Sequence, residues 1–548
     1  MPRKMVFRAM LVLPSLALLS TPGGGAPLAD QDIGYELLFT SAGPDVQRTC
    51  FRTPELHPPT SGAFFIGGPA KFDMGGYQFQ SFFDGYGRMN RFELQDGKVC
   101  FTAKYMNTSY YKEAELLGRP AGGMFMGTEP KLPPCPLTHP FCKLTGMESD
   151  NNWVNLMPTG EPGEGLLLTD SPIFVRFDYE SMGTFGNYKW KDGGVSGMLP
   201  KWLKAFHAPA TGSAHPVRRP GTESTWVEVM LEVGFSQYLA VYTIDTKTMD
   251  RALLAHVPMK GPMYFHSFGV SENYVVLPCN LKMGGNGSAG GKSIIGAFGD
   301  GWDGIHVVDR NGNVQVFETD RFFHVHVANT FENDTAIVMD LGTFQKVPFS
   351  YHTLETALNL NKTERDVHQG TMTERIHMHL AGPKKGQVTR EHLGMPGRQT
   401  DFFKINHQVW GLPYCIYYGV EWFHNDKDYA SMAILKHNIC QNTRTYWSKQ
   451  YVYPTEPYFL PNSKHETPLA EDDGLLFFVA LDGIRKASDF VILDGKTFQE
   501  ITVVNLPVHI PFLAHGQFIP KAGAEVVKAT LEVHRPDLAA AVASIIAV

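Results

Sequence analysis

The sequence predicts an all-β protein, a seven-bladed β-propeller with a lid of loops and short helices over one face. A hairpin pattern recurs seven times along the chain, six times with an Asp or Asn turn. The copies lie roughly sixty to eighty residues apart, beyond the roughly 40 to 50 of common propeller repeats, so long insertions must rise from one face. The composition, 43% hydrophobic with 12% aromatic and 19% charged residues over 548 positions, is that of a globular protein with a large interior. No single hairpin buries its own faces, so such units need neighbours arranged around an axis. Asp-turn hairpins also occur in other β folds, and repetition alone favours the propeller without singling it out.

At the amino terminus Arg3, Lys4 and Arg8 flank or precede the apolar run AMLVLPSLALL, and the small residues of STPGGGA follow. This is the pattern of a secretory signal peptide over residues 1–29, leaving 30–548 as one propeller domain with lid insertions. It places the protein in the secretory pathway or outside the cell. An organelle transit segment or an unprocessed tail, with an organellar or cytoplasmic location, is the alternative. Sequons at Asn107, Asn286, Asn333 and Asn361 agree with secretion but are close to what chance supplies. No apolar run reaches the roughly 18 to 20 residues needed to cross a bilayer. The mature chain is expected to be soluble or bound to a membrane surface.

Residues from Asp30 to Pro58 read as an arm wrapping a scaffold. The segment SFFDGYGRMNRFELQDGKVCFTAKY then reads as strand, turn at Asp84-Gly85, strand, turn at Asp96-Gly97, strand. Related hairpins follow around Asp178, Asp245 and Asp309, more weakly in RIHMHLAGPKKGQVTREH, and again around Asn438 and Asp494. One insertion, GMLPKWLKAFHAP, sets Leu199, Trp202, Leu203 and Phe206 at helical spacing with Lys201 and Lys204 elsewhere. Such a basic amphipathic turn suits peripheral membrane association or a lid helix packed on the body.

A net charge of -7 and the absence of a long Lys/Arg run leave no electrostatic footprint for nucleic acid. Seven cysteines are few and odd in number and form no CxxC knuckle, which argues against a disulfide framework as the main source of stability. Cys135 and Cys142 share a Pro-rich loop; they either pair in an oxidising compartment or remain free thiols.

Among 21 histidines, four stand just ahead of or within strand-like runs in different repeats: His215 in SAHPV, His266 in FHSFGVSENYVV, His326 in HVANTFENDTAIVMDL and His515 in AHGQF. In a propeller the innermost strands of all blades approach the axis, so single side chains from distant repeats can meet there and hold one metal. Taken singly, each histidine has a structural role as its ordinary reading. A local alternative is the pair His324 and His326, which share a face of a strand at i and i+2.

These residues resemble the carotenoid cleavage oxygenases, a family that includes the animal carotene oxygenases and the retinoid isomerase of the visual cycle. FDGYGRMNRFEL is similar to the family's early FDG-x-G motif, and SAHP, HSFGVSENYVV and HxxNxxE (His326, Asn329, Glu332) to its three histidine motifs. TEPYFLP, AEDDG and AHGQF resemble its carboxy-terminal set, in consistent order over about residues 60 to 520.

The resemblance implies a seven-bladed propeller with one Fe(2+) per chain on His215, His266, His326 and His515, beneath a lid over a hydrophobic tunnel. It further implies that Glu456, and in positions where relatives usually carry Glu, Asp170 and Asp401, orient the imidazoles from outside. Each Asp is one methylene shorter than the residue it replaces. Either a histidine shifts, a water intervenes, or these two carboxylates serve in turns instead. Glu471, Asp472 and Asp473 read as a structural turn.

The implied activity is cleavage of a carbon–carbon double bond in a carotenoid or apocarotenoid by dioxygen, giving two carbonyl products. No acid–base pair is required. Retinyl ester isomerohydrolysis, stilbene cleavage and non-catalytic binding of carotenoid or retinoid are the alternatives that the motifs do not separate.

Overall fold

Five of the outer hairpins close on side chains that cap their own turns. The Oδ1 of Asp178 accepts from the Ser181 amide, that of Asp245 from Lys247, that of Asp309 from Asn311 and Asn313, and that of Asp494 from Thr497. Asn438 does the same for Gln441. A short acceptor that satisfies an amide two to four residues on stabilises the turn locally, which is why these five copies of the repeat could be read from Asp and Asn. The structure, a computed structural model, describes residues 32–120, 150–192, 207–235, 237–261, 263–279, 281–283, 298–300, 303–344, 372–395, 398–422, 431–462 and 470–521. Cys135, Cys142 and the segment around Trp202 lie outside these residues.

Seven antiparallel sheets form the blades of a propeller. Six follow chain order from an inner to an outer strand, ending in the hairpins that pair Val175–Asp178 with Thr184–Asn187, Tyr238–Asp245 with Asp250–Pro258, Ile305–Asp309 with Val314–Phe317, Met372–His379 with Val388–His392, Ala433–Asn438 with Thr443–Trp447, and Ala487–Asp494 with Glu500–Asn505. The first blade is composite. Its innermost strand, Gly516–Pro520, comes from the far end of the described chain and pairs with Gly62–Lys71, matching Phe64 to Phe518 and Ile66 to Gly516. Its outermost strand, Val46–Arg52, is supplied by the amino-terminal arm and lies on Lys98–Tyr105.

A hydrophobic cluster sits at each of the seven junctions between neighbouring blades. The junction that closes the ring packs Phe64, Phe92, Phe477, Phe490 and Phe518, with the rings of Phe92 and Phe490 stacked at 4.1 Å. Full burial of each such ring is worth roughly 1.5–3 kcal/mol, so closure is driven by side chains that are more than 380 residues apart in places.

One expected strand is absent. Phe82–Asp84 forms a 3-10 turn capped by Ser81, and the first blade's strand begins only at Tyr86. The Asp84-Gly85 pair looked like a hairpin turn, but Asn151 binds both sides of it, donating to the Gly85 carbonyl and accepting from the Gly87 amide. The Asp96-Gly97 turn does join two strands, Tyr86–Gln95 and Lys98–Tyr105.

Two disulfides are present among the described residues, Cys50–Cys100 across the outer edge of the first blade and Cys415–Cys440 in the sixth. Cys279 is a buried free thiol.

Candidate metal centre

Every blade contributes at least one residue to the centre. His515 precedes the inner strand of the first blade, Asp170 follows Glu164–Leu168 in the second, and His215 lies in the gap between Ala208–Gly212 and Val217–Arg218 in the third. His266 precedes Gly269–Val270 in the fourth blade, and His326 lies within Phe323–Glu332 in the fifth. Asp401 belongs to Gln399–Lys404 in the sixth, and Glu456 to the break between Val452–Pro454 and Tyr458–Pro461 in the seventh. Breaks and bulges at these positions free single residues from the ladder and aim them inward.

The four histidines converge, with one ring nitrogen of each inside a group 4.8 Å across. The Nε2 of His215 is 3.1 Å from that of His266, which is 3.3 Å from the Nε2 of His326. Two imidazoles bound to one ion at about 2.0–2.1 Å bring their nitrogens to about 3.0–3.4 Å. The donor set therefore fits one metal ion, and it is the only group of three or more metal-ligating residues among those described. His324 is not part of it. A register shift between His324 and Val327 breaks the i, i+2 pattern, and the His324 Nε2 instead meets the Ser267 carbonyl at 3.1 Å.

Three carboxylates occupy the outer nitrogens of three imidazoles. Asp170 holds the His266 Nδ1 with both oxygens at 3.0 Å, Asp401 holds the His326 Nδ1 at 2.8 Å, and Glu456 holds the His515 Nδ1 at 2.6 Å. A carboxylate at Nδ1 sets the tautomer whose Nε2 lone pair points inward. The shorter Asp side chains thus touch their histidines directly, with neither a displaced ring nor a bridging water required by the distances. His215 has no carboxylate of this kind among the described residues; its backbone amide donates to Ser213 Oγ, which in turn donates to the His266 carbonyl.

Burial sets the protonation states. His215 and His515 are pushed well below the ordinary histidine range, first by burial and then by the neighbouring imidazoles. They are neutral at pH 7, the form that binds a metal. Burial also takes the Glu456 carboxyl up to about 7, against the pull of Lys404 and the Gly516 amide.

Sequence reasoning missed three neighbours of the site. Tyr264 donates its hydroxyl to Asp170 Oδ2 at 2.6 Å. Phe402 lies with its ring 5.0 Å from that of His326 and 5.5 Å from that of His515. Lys404 places its ammonium 3.2 Å from Glu456 Oε1. The spacing of Tyr264 two residues before His266 was the only available signal, and for Lys404 there was none.

Other motif residues hold the frame. Asn329 accepts from the Gly411 amide and donates to the Leu412 carbonyl, and Glu332 accepts from the amide and side chain of Asn273, tying the third histidine motif to the second. Glu471 accepts from the Cys415 and Ile416 amides, and Asp472 from Lys436, so both are turn-holding groups.

The family model described as retinal pigment epithelial membrane protein matches residues 58–520. A rat beta,beta-carotene 15,15'-dioxygenase is 25% identical over 526 residues, covering 86% of this chain and 88% of the relative. A variant of the Synechocystis apocarotenoid oxygenase superposes with a TM-score of 0.71 at 21% identity, over 89% of this chain and 98% of that one. A cobalt-substituted form of the Synechocystis protein gives 0.68 at 22% identity over the same shares.

Proposed function

Because the chain belongs to the retinal pigment epithelial membrane protein family, that of the carotenoid cleavage oxygenases, we propose that it is an iron(II)-dependent dioxygenase. It cleaves a carbon–carbon double bond of a carotenoid or apocarotenoid and releases two carbonyl products. The observation that carries this reading is the convergence of His215, His266, His326 and His515 on one point, backed by three carboxylates. The named activities of the carotenoid-cleaving relatives support it.

His215, His266, His326 and His515 would hold the ion. Four neutral imidazoles leave its full +2 charge in place and suit Fe(II) by ligand type. Bound there, ferrous iron supplies one-electron chemistry toward dioxygen, which acid–base side chains cannot provide. The protein's own share is geometric and electrostatic. Asp170, Asp401 and Glu456 lock three rings, and the Phe402 ring covers the His326 and His515 edges with an apolar surface. A polyene lying against such a surface is held by contact area and excludes water from the reacting bond.

Incubation of purified protein with a panel of carotenoids under oxygen-18 dioxygen tests the proposal. Label in the carbonyl products is expected; retinoid isomerisation without label overturns it in favour of hydrolysis. Bound carotenoid without metal, after purification, overturns both in favour of a carrier.

We also infer an oxidising compartment, in the secretory pathway or outside the cell. Cys50–Cys100 and Cys415–Cys440 support it, since disulfides persist mainly there. Contact with a membrane surface is proposed on the apolarity of the substrate class.

A further inference from the structure

The strand Gln399–Lys404 carries one residue too many. Asp401 pairs with Val420 and Lys404 with Tyr418, so three steps along this strand answer two along its partner. In an unbroken strand, residues three apart face opposite sides. The extra residue returns Asp401 and Lys404 to the same side, the one that faces the axis. Phe402 takes the left-handed conformation, with φ of 55°, at the bulge. Opposite it, Gly419 has no room for a side chain, since a Cβ there would stand 2.8 Å from Thr400 Cγ2 and 3.0 Å from the Asp401 carbonyl oxygen. One bulge thus delivers an anion to His326 and a cation to Glu456.

The placement of that cation makes the centre unequal. Lys404 Nζ and His515 Nδ1 both address Glu456 Oε1, at 3.2 and 2.6 Å. Asp170 and Asp401 have no Lys or Arg partner among the described residues, and the hydroxyl on Asp170 is neutral. A carboxylate at Nδ1 makes an imidazole a stronger electron donor to its metal. An ammonium on the same oxygen draws that charge away. Two histidines, His266 and His326, keep a full carboxylate behind them; His515 has a neutralised one and His215 none.

We propose that Lys404 acts through Glu456 to weaken electron donation from His515, so that a bound divalent ion is held less tightly and is harder to oxidise than the three carboxylates alone would make it. The inference rests on the metal site proposed above and assigns a tuning role to Lys404, whose side chain is 26% exposed.

The test uses full-length protein stripped of metal and titrated with Co(II) at low ionic strength, in wild type, Lys404→Met and Lys404→Arg. Lys404→Met is expected to bind Co(II) about tenfold more tightly, within the 10–100-fold range that partners of metal ligands command. The midpoint potential of the iron-loaded Lys404→Met protein should fall below that of wild type, and Lys404→Arg, which keeps the charge, should stay near wild type in both measurements. Weaker binding in Lys404→Met would show that the ammonium merely props Glu456 in place, and equal binding that it is inert; either result overturns the proposal. If Lys404→Met does not fold, Lys404→Gln takes its place. A wild-type protein that takes up no Co(II) overturns the metal site and this inference together, whereas uptake by wild type with no change in the variants overturns this inference alone.

Discussion

Asp170 and His266 meet through both carboxylate oxygens at 3.0 Å from one ring nitrogen, while Tyr264 donates to the same carboxylate at 2.6 Å. The Ala214 amide, next to His215, adds a fourth contact at 3.3 Å. A side chain one methylene shorter than Glu is therefore no handicap here, because the loop after Glu164–Leu168 brings it within direct reach and Tyr264 fixes its tilt.

Replacing Asp170 by Asn removes the negative charge and one of the two acceptor oxygens that face the His266 Nδ1–H while keeping the shape. Metal affinity is expected to drop about 10- to 100-fold, the usual cost of losing such a partner. Tyr264→Phe should cost less, about tenfold, corresponding to one hydrogen bond to a charged group. Metal titration of the two purified variants checks the order; a larger loss in Tyr264→Phe would contradict it.

Glu456→Gln retains an acceptor for the Gly516 amide but cannot serve His515 and Gly516 as a carboxylate does. His515 should then lose its fixed tautomer, with metal affinity again falling about 10- to 100-fold. His266→Ala removes a ligand outright and is expected to abolish stoichiometric metal. Elemental analysis decides, and full occupancy in His266→Ala would refute the ligand assignment.

Acid should act through buried histidines. His324 is lowered from 6.5 to about 4, mainly by burial, against the pull of the Ser267 carbonyl. Its folded-state value lies below the unfolded one, so the unfolded chain takes up the proton first and the folded state loses stability as pH falls from about 6.5 toward 4. His324→Gln keeps a donor for Ser267 and removes the titration. Its stability relative to wild type should rise over that interval by up to about 3 kcal/mol, at 1.36 kcal/mol per pH unit. Parallel chemical denaturation at pH 7 and pH 4.5 measures the gap; a pH-independent difference would rule the account out.

Ring closure offers a stability test. Phe64 is fully buried between the first and seventh blades, against Phe477, Phe490 and Phe518-bearing strands. Phe64→Ala should cost about 3–5 kcal/mol. Because the loss falls on the junction that joins the two ends of the ring, limited proteolysis should begin at Gly516–Pro520 or its neighbours. Unchanged thermal unfolding would show that the junction contributes little.

Five of the outer hairpins were legible because each depends on one short polar side chain and amides two to four residues away, as at Asp309 and Asn313. The Asp84-Gly85 pair misled for the complementary reason. Its partner is Asn151, more than sixty residues on, and no local pattern distinguishes a turn held from afar from one that holds itself. Cys50 and Cys100 were likewise unreadable as a pair, since only their register across two strands brings them together.

By itself the sequence determined the repeat, which favours a closed β architecture, and the candidate histidines of the axis, with the carboxylates and the roles of both coming through resemblance to a family. Tertiary structure alone decided that four histidines from four blades share a single point, that two short Asp side chains reach their imidazoles, and that His324 does not join His326. It also decided that a bulge turns Lys404 onto Glu456. The physical reason is common to all four: ring closure and bulges set side-chain direction through backbone geometry summed over hundreds of residues, whereas a sequence pattern carries only the direction that its own few neighbours impose.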